Sequence, residues 1–417
     1  MSAERLAIDG GTPVRTEPFT KRKPFGAREL ELLKEALESQ TLFAPESDMV
    51  RRFEAAVSEL YGVKYAIGTT SGTAALHLAV GALGLNPGDE VITAPITDMG
   101  TVIPILFQNG VPVFADTAPG SLAMDPEDVR RKITPRTRAI IVVHLTGNPV
   151  EIEPFLEIAR EHGLVLIEDC CQAYVTKLRG RYVGTFGHIG CFSMQQSKHA
   201  TTGDGGFCIT NDPVLADKMR LFSDKGWLRK QVSDARVYTT LGLNYRMNGL
   251  QAAVGLAQIE KVRAVVERRN ELGDRLSSLI RDVPGIRPAE VTPGGEHSYW
   301  FYPLITVDWK AAEFAAAVRA EGVPAGAGYI GKPIFLCSEV LYGGRTYGDS
   351  NFPFNSPYTD RKYEELYAPG VCPNCEDILE HLVVLSLHEQ MRDEEIEDMA
   401  AAVRKVAQGL KAKQVTT

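Results

Sequence analysis

Short apolar runs alternate with stretches of helical periodicity through the first half of the chain. This alternation predicts a mainly parallel sheet covered on both faces. Val63–Gly68, Glu90–Ala94 and Val111–Ala115 read as strands. Arg138–Val143 and Leu164–Glu168 are nearly continuous apolar runs rich in β-branched residues, as strands buried on two sides require. Thr73–Leu83 reads as a helix, as does 27–39, where Leu30, Leu32, Leu33 and Leu37 recur at near-helical spacing. From Leu250 through Ile259, Val262 and Val265 the pattern is one long helix. Beyond it come a strand-like Tyr299–Val307 and helices at Trp309–Glu321 and Asp393–Leu410. The pattern predicts an arm at 1–25, a large domain at 26–262 and a smaller C-terminal domain at 263–417, the latter of mixed α+β type. Residues 336–376 are irregular and rich in Gly, Tyr, Pro and Asn, and a stretch of that kind in a compact domain is functional or disordered.

Composition narrows the class. The 417 residues are 44 % hydrophobic and 24 % charged, ordinary for a soluble globular protein. A net charge of −8 with no basic arm argues against nucleic acid as a partner. No apolar run reaches the roughly 18 residues of a membrane span. The opening Met1–Leu6 begins no apolar stretch of the secretory type. Seven cysteines without a scaffold pattern read as cytoplasmic thiols.

Candidate chemistry gathers where a parallel sheet would put it, at the carboxyl ends of strands. Lys198 follows the strand-like Gly190–Ser193 and precedes Thr202-Gly203-Asp204-Gly205-Gly206, whose small residues let backbone approach a ligand. Asp169 ends the apolar run at Leu164–Glu168, where an ionised carboxylate is costly unless paired. A lysine able to join a carbonyl cofactor, with a carboxylate able to hold a pyridinium nitrogen, is what pyridoxal phosphate (PLP) chemistry requires. The plain alternatives are a solvated surface lysine and a helix-capping aspartate. Thr69-Thr70-Ser71-Gly72-Thr73 closes a strand and opens a helix. Free N–H groups and the helix dipole suit a phosphate there, with Gly72 allowing close approach and Ser71 and Thr73 offering hydroxyls. Gln172, three residues after Asp169, is placed to donate to the phenolate oxygen of a bound ring; its plain alternative is a solvated turn residue.

Together these segments resemble the DegT/DnrJ/EryC1/StrS family of PLP-dependent sugar and cyclitol aminotransferases. The likeness rests on Ser71–Leu76, Asp89–Ile92, Glu168–Ala173, Ser193–Gly206 and Asn244–Ala253, in the family's order, and extends from about residue 7 to 405. It implies an α/β aspartate-aminotransferase fold (PLP fold type I) with a seven-stranded, mainly parallel sheet, and a homodimer with shared sites. It also implies Lys198 as the Schiff-base residue, Asp169 as the pyridinium partner and Gln172 beside the ring hydroxyl. Gly72, Thr73 and Ser193 would bind the cofactor phosphate, with Asn244 reaching it from the other subunit. The opening Leu6–Arg15 resembles the cyclitol (inosose) branch, which often takes nitrogen from glutamine. The expected reaction moves an amino group from glutamate or glutamine to a nucleotide-linked keto sugar or a keto cyclitol.

Some positions depart from the family. Asp98 stands where an aromatic residue usually stacks on the cofactor ring, and an aspartate has no π-face. The irregular stretch around 342–371 is longer than usual and, with Tyr342, Arg345, Tyr347, Arg361 and Tyr363, is expected to line or cover the substrate site. A dehydratase acting on a keto sugar is the nearest rival, although that branch replaces the lysine with histidine. A regulatory protein that kept the fold is a remoter one, and it would be expected to lose Lys198 or Asp169. No metal is expected: the histidines form no cluster, and Cys372-Pro-Asn-Cys375 has no second pair to complete a zinc site.

Overall fold

The computed structural model describes residues 4–229 and 235–416. Its largest sheet has seven strands, in the order Tyr65–Thr69, Gly206–Thr210, Ile189–Ser193, Val165–Asp169, Thr137–Val143, Glu90–Thr93 and Val111–Phe114. The last five are parallel, while Gly206–Thr210 runs antiparallel to both neighbours. This is the expected α/β architecture. Alternate residues of one strand serve opposite faces: Ile140 and Val142 enter one core, Ala139 and Ile141 the other. Helices therefore cover both sides, as the unbroken apolar runs require.

Helix Gly249–Ile280 begins at a capping box in which Asn248 and Gln251 satisfy each other's backbone ends. Its 32 residues span roughly 48 Å at 1.5 Å per residue. Its first half packs Ala253, Leu256 and Val262 under the large sheet, and its second half carries Leu272, Leu276 and Ile280 into a separate core. That second core belongs to a four-stranded antiparallel sheet, ordered Ile286–Arg287, Tyr302–Thr306, Leu382–Leu385, Ala325–Ala327, with helices Ala311–Ala320 and Asp393–Thr416 against it.

The arm is docked. Leu6 is buried in the C-terminal core, and Glu321 accepts from the amides of Ala7 (2.8 Å) and Val14 (3.1 Å). Arg15 pairs with Asp398 at 2.6 Å, and Arg22 with Glu389 at 2.8 Å.

The 342–371 stretch does not cover the candidate site. It packs along the far edge of the large sheet. Tyr347 donates to the Leu106 carbonyl (2.7 Å), Tyr367 to that of Pro112 (2.8 Å), and Arg361 Nε to Glu90 (2.7 Å). The outermost strand, Val111–Phe114, is an edge that needs cover, and the segment's aromatic residues supply it: Phe354 and Tyr363 pack on the core that holds Phe114 and Tyr367. No helix among the described residues is long and apolar enough to cross a membrane.

Candidate active site

Beyond strand Ile189–Ser193 the chain folds into a tight turn. Gln195 takes the Ser197 amide on its side chain (2.8 Å) and the Lys198 amide on its carbonyl (2.9 Å). This turn puts the Lys198 side chain inside, leaving the residue 8 % exposed. Burial lowers the pKa of its amine, opposed by the nearby Cys171, Asp169 and Asp98. The amine lies 3.4 Å from the centroid of the Trp300 ring, whose indole N–H donates to the Ser197 carbonyl (3.0 Å).

Asp169 ends its strand 4 % exposed, and its carboxylate is held from two sides. Thr101 Oγ1 donates to Oδ2 at 2.8 Å and the Cys171 amide to Oδ1 at 3.0 Å. Thr101 is itself braced by Thr97, Oγ1 to Oγ1 at 2.7 Å. Gln172 is buried rather than solvated. Its Oε1 accepts from the Thr146 amide (2.7 Å) and its Nε2 donates to the Tyr329 hydroxyl (3.1 Å). Asp98 caps helix Met99–Phe107 by accepting from the Gly100 amide (2.8 Å) and faces the same cavity.

Helix Gly72–Leu83 points its N-terminus into this space, capped by Ser71, which accepts from the Ala74 amide (3.0 Å). A Cβ on Gly72 would sit 2.5 Å from Ser193 Cβ, so only glycine lets these two segments meet. Gly72, Thr73, Asp169, Gln172, Ser193 and Lys198 all line one cavity of about 350 Å³. Asn244 does not. It is exposed, on a segment bridged to Asp224. An amine, an anchored carboxylate, and a helix N-terminus with hydroxyls on one wall are a donor set that fits PLP.

Comparison with known proteins agrees with this geometry. The profile of the DegT/DnrJ/EryC1/StrS aminotransferase family matches residues 25–342. The chain belongs to that family. It is 31 % identical to the L-glutamine:2-deoxy-scyllo-inosose aminotransferase of Streptoalloteichus tenebrarius, over 96 % of this chain and 97 % of that protein. It is 36 % identical to the GDP-perosamine synthase of Escherichia coli O157:H7, over 67 % and 75 % of the two chains. The crystal structure of the aminotransferase TlmJ from Streptoalloteichus hindustanus superposes with a TM-score of 0.77 at 27 % identity, over 96 % of this chain and all of that one. As a member of this aminotransferase family the protein uses PLP, and its architecture is that of PLP fold type I.

The DegT/DnrJ/EryC1/StrS fold also brings together groups that the sequence keeps apart. Trp300, Tyr329 and Thr101 join the cavity from segments whose spacing gives no sign of it. His144, Glu168 and Cys170 offer ligand atoms within 4.8 Å of one another, although no such cluster is visible in the chain order. Hydrogen bonds already occupy His144 and Glu168. His144 Nδ1 accepts from the Val150 amide (3.0 Å), leaving Nε2 to face Glu168 (3.1 Å), and Glu168 also takes the amides of Gly184 (2.7 Å) and Gly187 (2.6 Å). The His–Glu pair is thus a hydrogen-bonded core network, with Cys170 buried in the apolar core beside it. Cys372 and Cys375 flank the start of helix Pro373–His381, but both are buried and burial pushes their thiols up, away from redox reactivity.

Proposed function

We propose that Lys198 joins PLP, that Asp169 holds its ring nitrogen, and that the enzyme moves an amino group from glutamate or glutamine to a nucleotide-linked keto sugar or an inosose-like keto cyclitol. One observation carries the reading: the Lys198 amine and the Asp169 carboxylate line a single cavity with the N-terminus of helix Gly72–Leu83. The near-full-length likeness to an inosose aminotransferase and the likeness to GDP-perosamine synthase support the two acceptor classes.

Bound PLP supplies an electron sink for the carbon that gains or loses the amino group. Lys198, desolvated and so ready to be a neutral amine, moves the proton at that carbon. Asp169 keeps its charge aimed because Thr101 and the Cys171 amide fix both oxygens. Gly72, Thr73 and Ser193 would hold the phosphate on the helix dipole. Gln172, pinned between Thr146 and Tyr329, presents its amide to the ring oxygen. Trp300 lies against the amine, and Tyr329 lines the same cavity.

A homodimer is part of this proposal. Leu241 is 90 % exposed and its neighbours Val237, Tyr238 and Leu243 are also exposed, an apolar strip that a second copy would cover. Asn244 is exposed on the same segment, which supports the reading that it reaches the phosphate site of the partner. The seven cysteines are free thiols, which supports a cytoplasmic setting.

The test is to discharge the yellow holoenzyme with glutamate or glutamine, then offer keto cyclitols and nucleotide-linked keto sugars. Return of the visible band marks the acceptor. A dehydrated product with no return of the band would replace aminotransfer with dehydration.

A further inference from the structure

We propose that Arg22 of the N-terminal arm is a positioning residue for Lys198, so that the arm is a working part of the site. This rests on the assignment of Lys198 as the cofactor lysine. The Arg22 guanidinium is spent on the backbone of the lysine turn. Nη1 donates to the Lys198 carbonyl and Nη2 to the His199 carbonyl, each at 2.7 Å. Its Nε donates to Glu389 Oε1 at 2.8 Å. The other oxygen of Glu389 accepts from Arg269 Nε at 2.9 Å. Arg269, 1 % exposed, donates from Nη1 to the carbonyls of Tyr299 and Trp300, both at 3.1 Å. One carboxylate thus references two guanidinium groups. One grips the peptide that carries Lys198, and the other grips the peptide that carries the ring beneath its amine.

Stability alone is a poor reason for this arrangement. A desolvated Arg–Glu–Arg group returns little or nothing relative to an apolar packing of the same volume. Nor does the arm need Arg22 to stay docked. Leu6 is buried, Glu321 takes two arm amides, Arg15 pairs with Asp398 (2.6 Å), and His388 Nε2 lies 2.9 Å from the Thr20 carbonyl. What Arg22 adds is a planar fork that fixes two successive carbonyls at once, which a lysine could not do. Displacing a reacting group by about 1 Å can cost on the order of 100-fold in rate.

Two readouts test this. One is the rate at which the full-length chain, stripped of cofactor, regains its visible band on addition of PLP. The other is the split between kcat and KM for aminotransfer. Arg22→Ala is expected to slow band recovery and lower kcat by about 10–100-fold, with KM for either substrate little changed. Arg22→Lys should fall between, and added guanidinium ion should partly restore Arg22→Ala. Arg15→Ala, which loosens the arm away from the lysine, should lower the melting temperature and leave band recovery at the wild-type rate. A folded Arg22→Ala with wild-type recovery and kcat overturns the inference, as does equal slowing in Arg15→Ala. Should Arg22→Ala not fold, an unslowed Arg22→Lys overturns it. Survival of the band in Lys198→Ala would instead sink the lysine assignment.

Discussion

The amine of Lys198 lies against the face of Trp300, 3.4 Å from the ring centroid, although 101 positions separate them in the chain. The contact stabilises the charged amine, while burial of the same group favours the neutral one. Replacing Trp300 with alanine removes one contact that favours the proton and leaves the charges of Cys171, Asp169 and Asp98 in place. The pH at which the free amine of the cofactor-stripped chain is half protonated should therefore fall, by what a desolvated cation–π contact of about 2 kcal/mol or less supplies. The pH dependence of amine-reagent labelling at Lys198, read by mass spectrometry, measures it. An upward shift would mean that Trp300 acts mainly by excluding water.

A buried lysine with a lowered pKa is a cost to the fold. Below its ordinary value near 10.4 the unfolded chain binds the proton more readily than the native chain does, so stability rises with pH across the interval between the two pKa values. Lys198→Met should therefore melt higher than wild type when both lack cofactor. The gain should be full below the lowered folded pKa, and vanish as pH passes about 10.4. Parallel melting curves at neutral and alkaline pH test this; an equal gain at both would assign the effect to packing.

Gly72 and Ser193 touch where the helix meets the strand end. Gly72→Ala would bring a methyl to 2.5 Å from Ser193 Cβ and 3.1 Å from its Cα. Helix propensity alone favours alanine, so any loss isolates the contact. We expect about 1–3 kcal/mol of destabilisation from overpacking, together with faster loss of PLP on dialysis. Wild-type retention of PLP would remove Ser193 from the phosphate site.

Arg361 and Glu90 tie the 342–371 segment to the sheet edge. Glu90 is 1 % exposed and also accepts from Thr134 Oγ1 at 2.7 Å. Arg361→Ala should cost about 1–3 kcal/mol, less than breaking a fully buried pair because Arg361 is a third exposed. Turnover by the folded variant at low temperature should be unchanged. Lost turnover with an unaltered melting temperature would make the segment a substrate-site element after all.

Legibility in the sequence followed how local each signal was. Thr137–Val143 and Val165–Asp169 show as apolar runs because both faces of each strand are buried. Helix Met99–Phe107 does not show, since it is apolar all round and carries Pro104 in its interior. Gly206–Thr210 hides inside a glycine-rich stretch that suggests only a turn. Lys198 and Asp169 are legible from their strand-end contexts. Trp300 is not, because it sits at the edge of a strand-like run and meets Lys198 only in the tertiary fold. Arg22 lies in an arm without periodicity, and nothing in its neighbours indicates that it grips residues 198 and 199. The 342–371 segment misleads because its tyrosines and arginines suit a sugar site as well as they suit a sheet edge.

The most direct test of the central claim is to reduce the holoenzyme with borohydride, digest it, and locate the modified lysine by mass spectrometry. The account predicts a pyridoxyl group on Lys198 Nζ and nowhere else. A pyridoxyl group on another lysine, or none on the peptide containing Lys198, would contradict it.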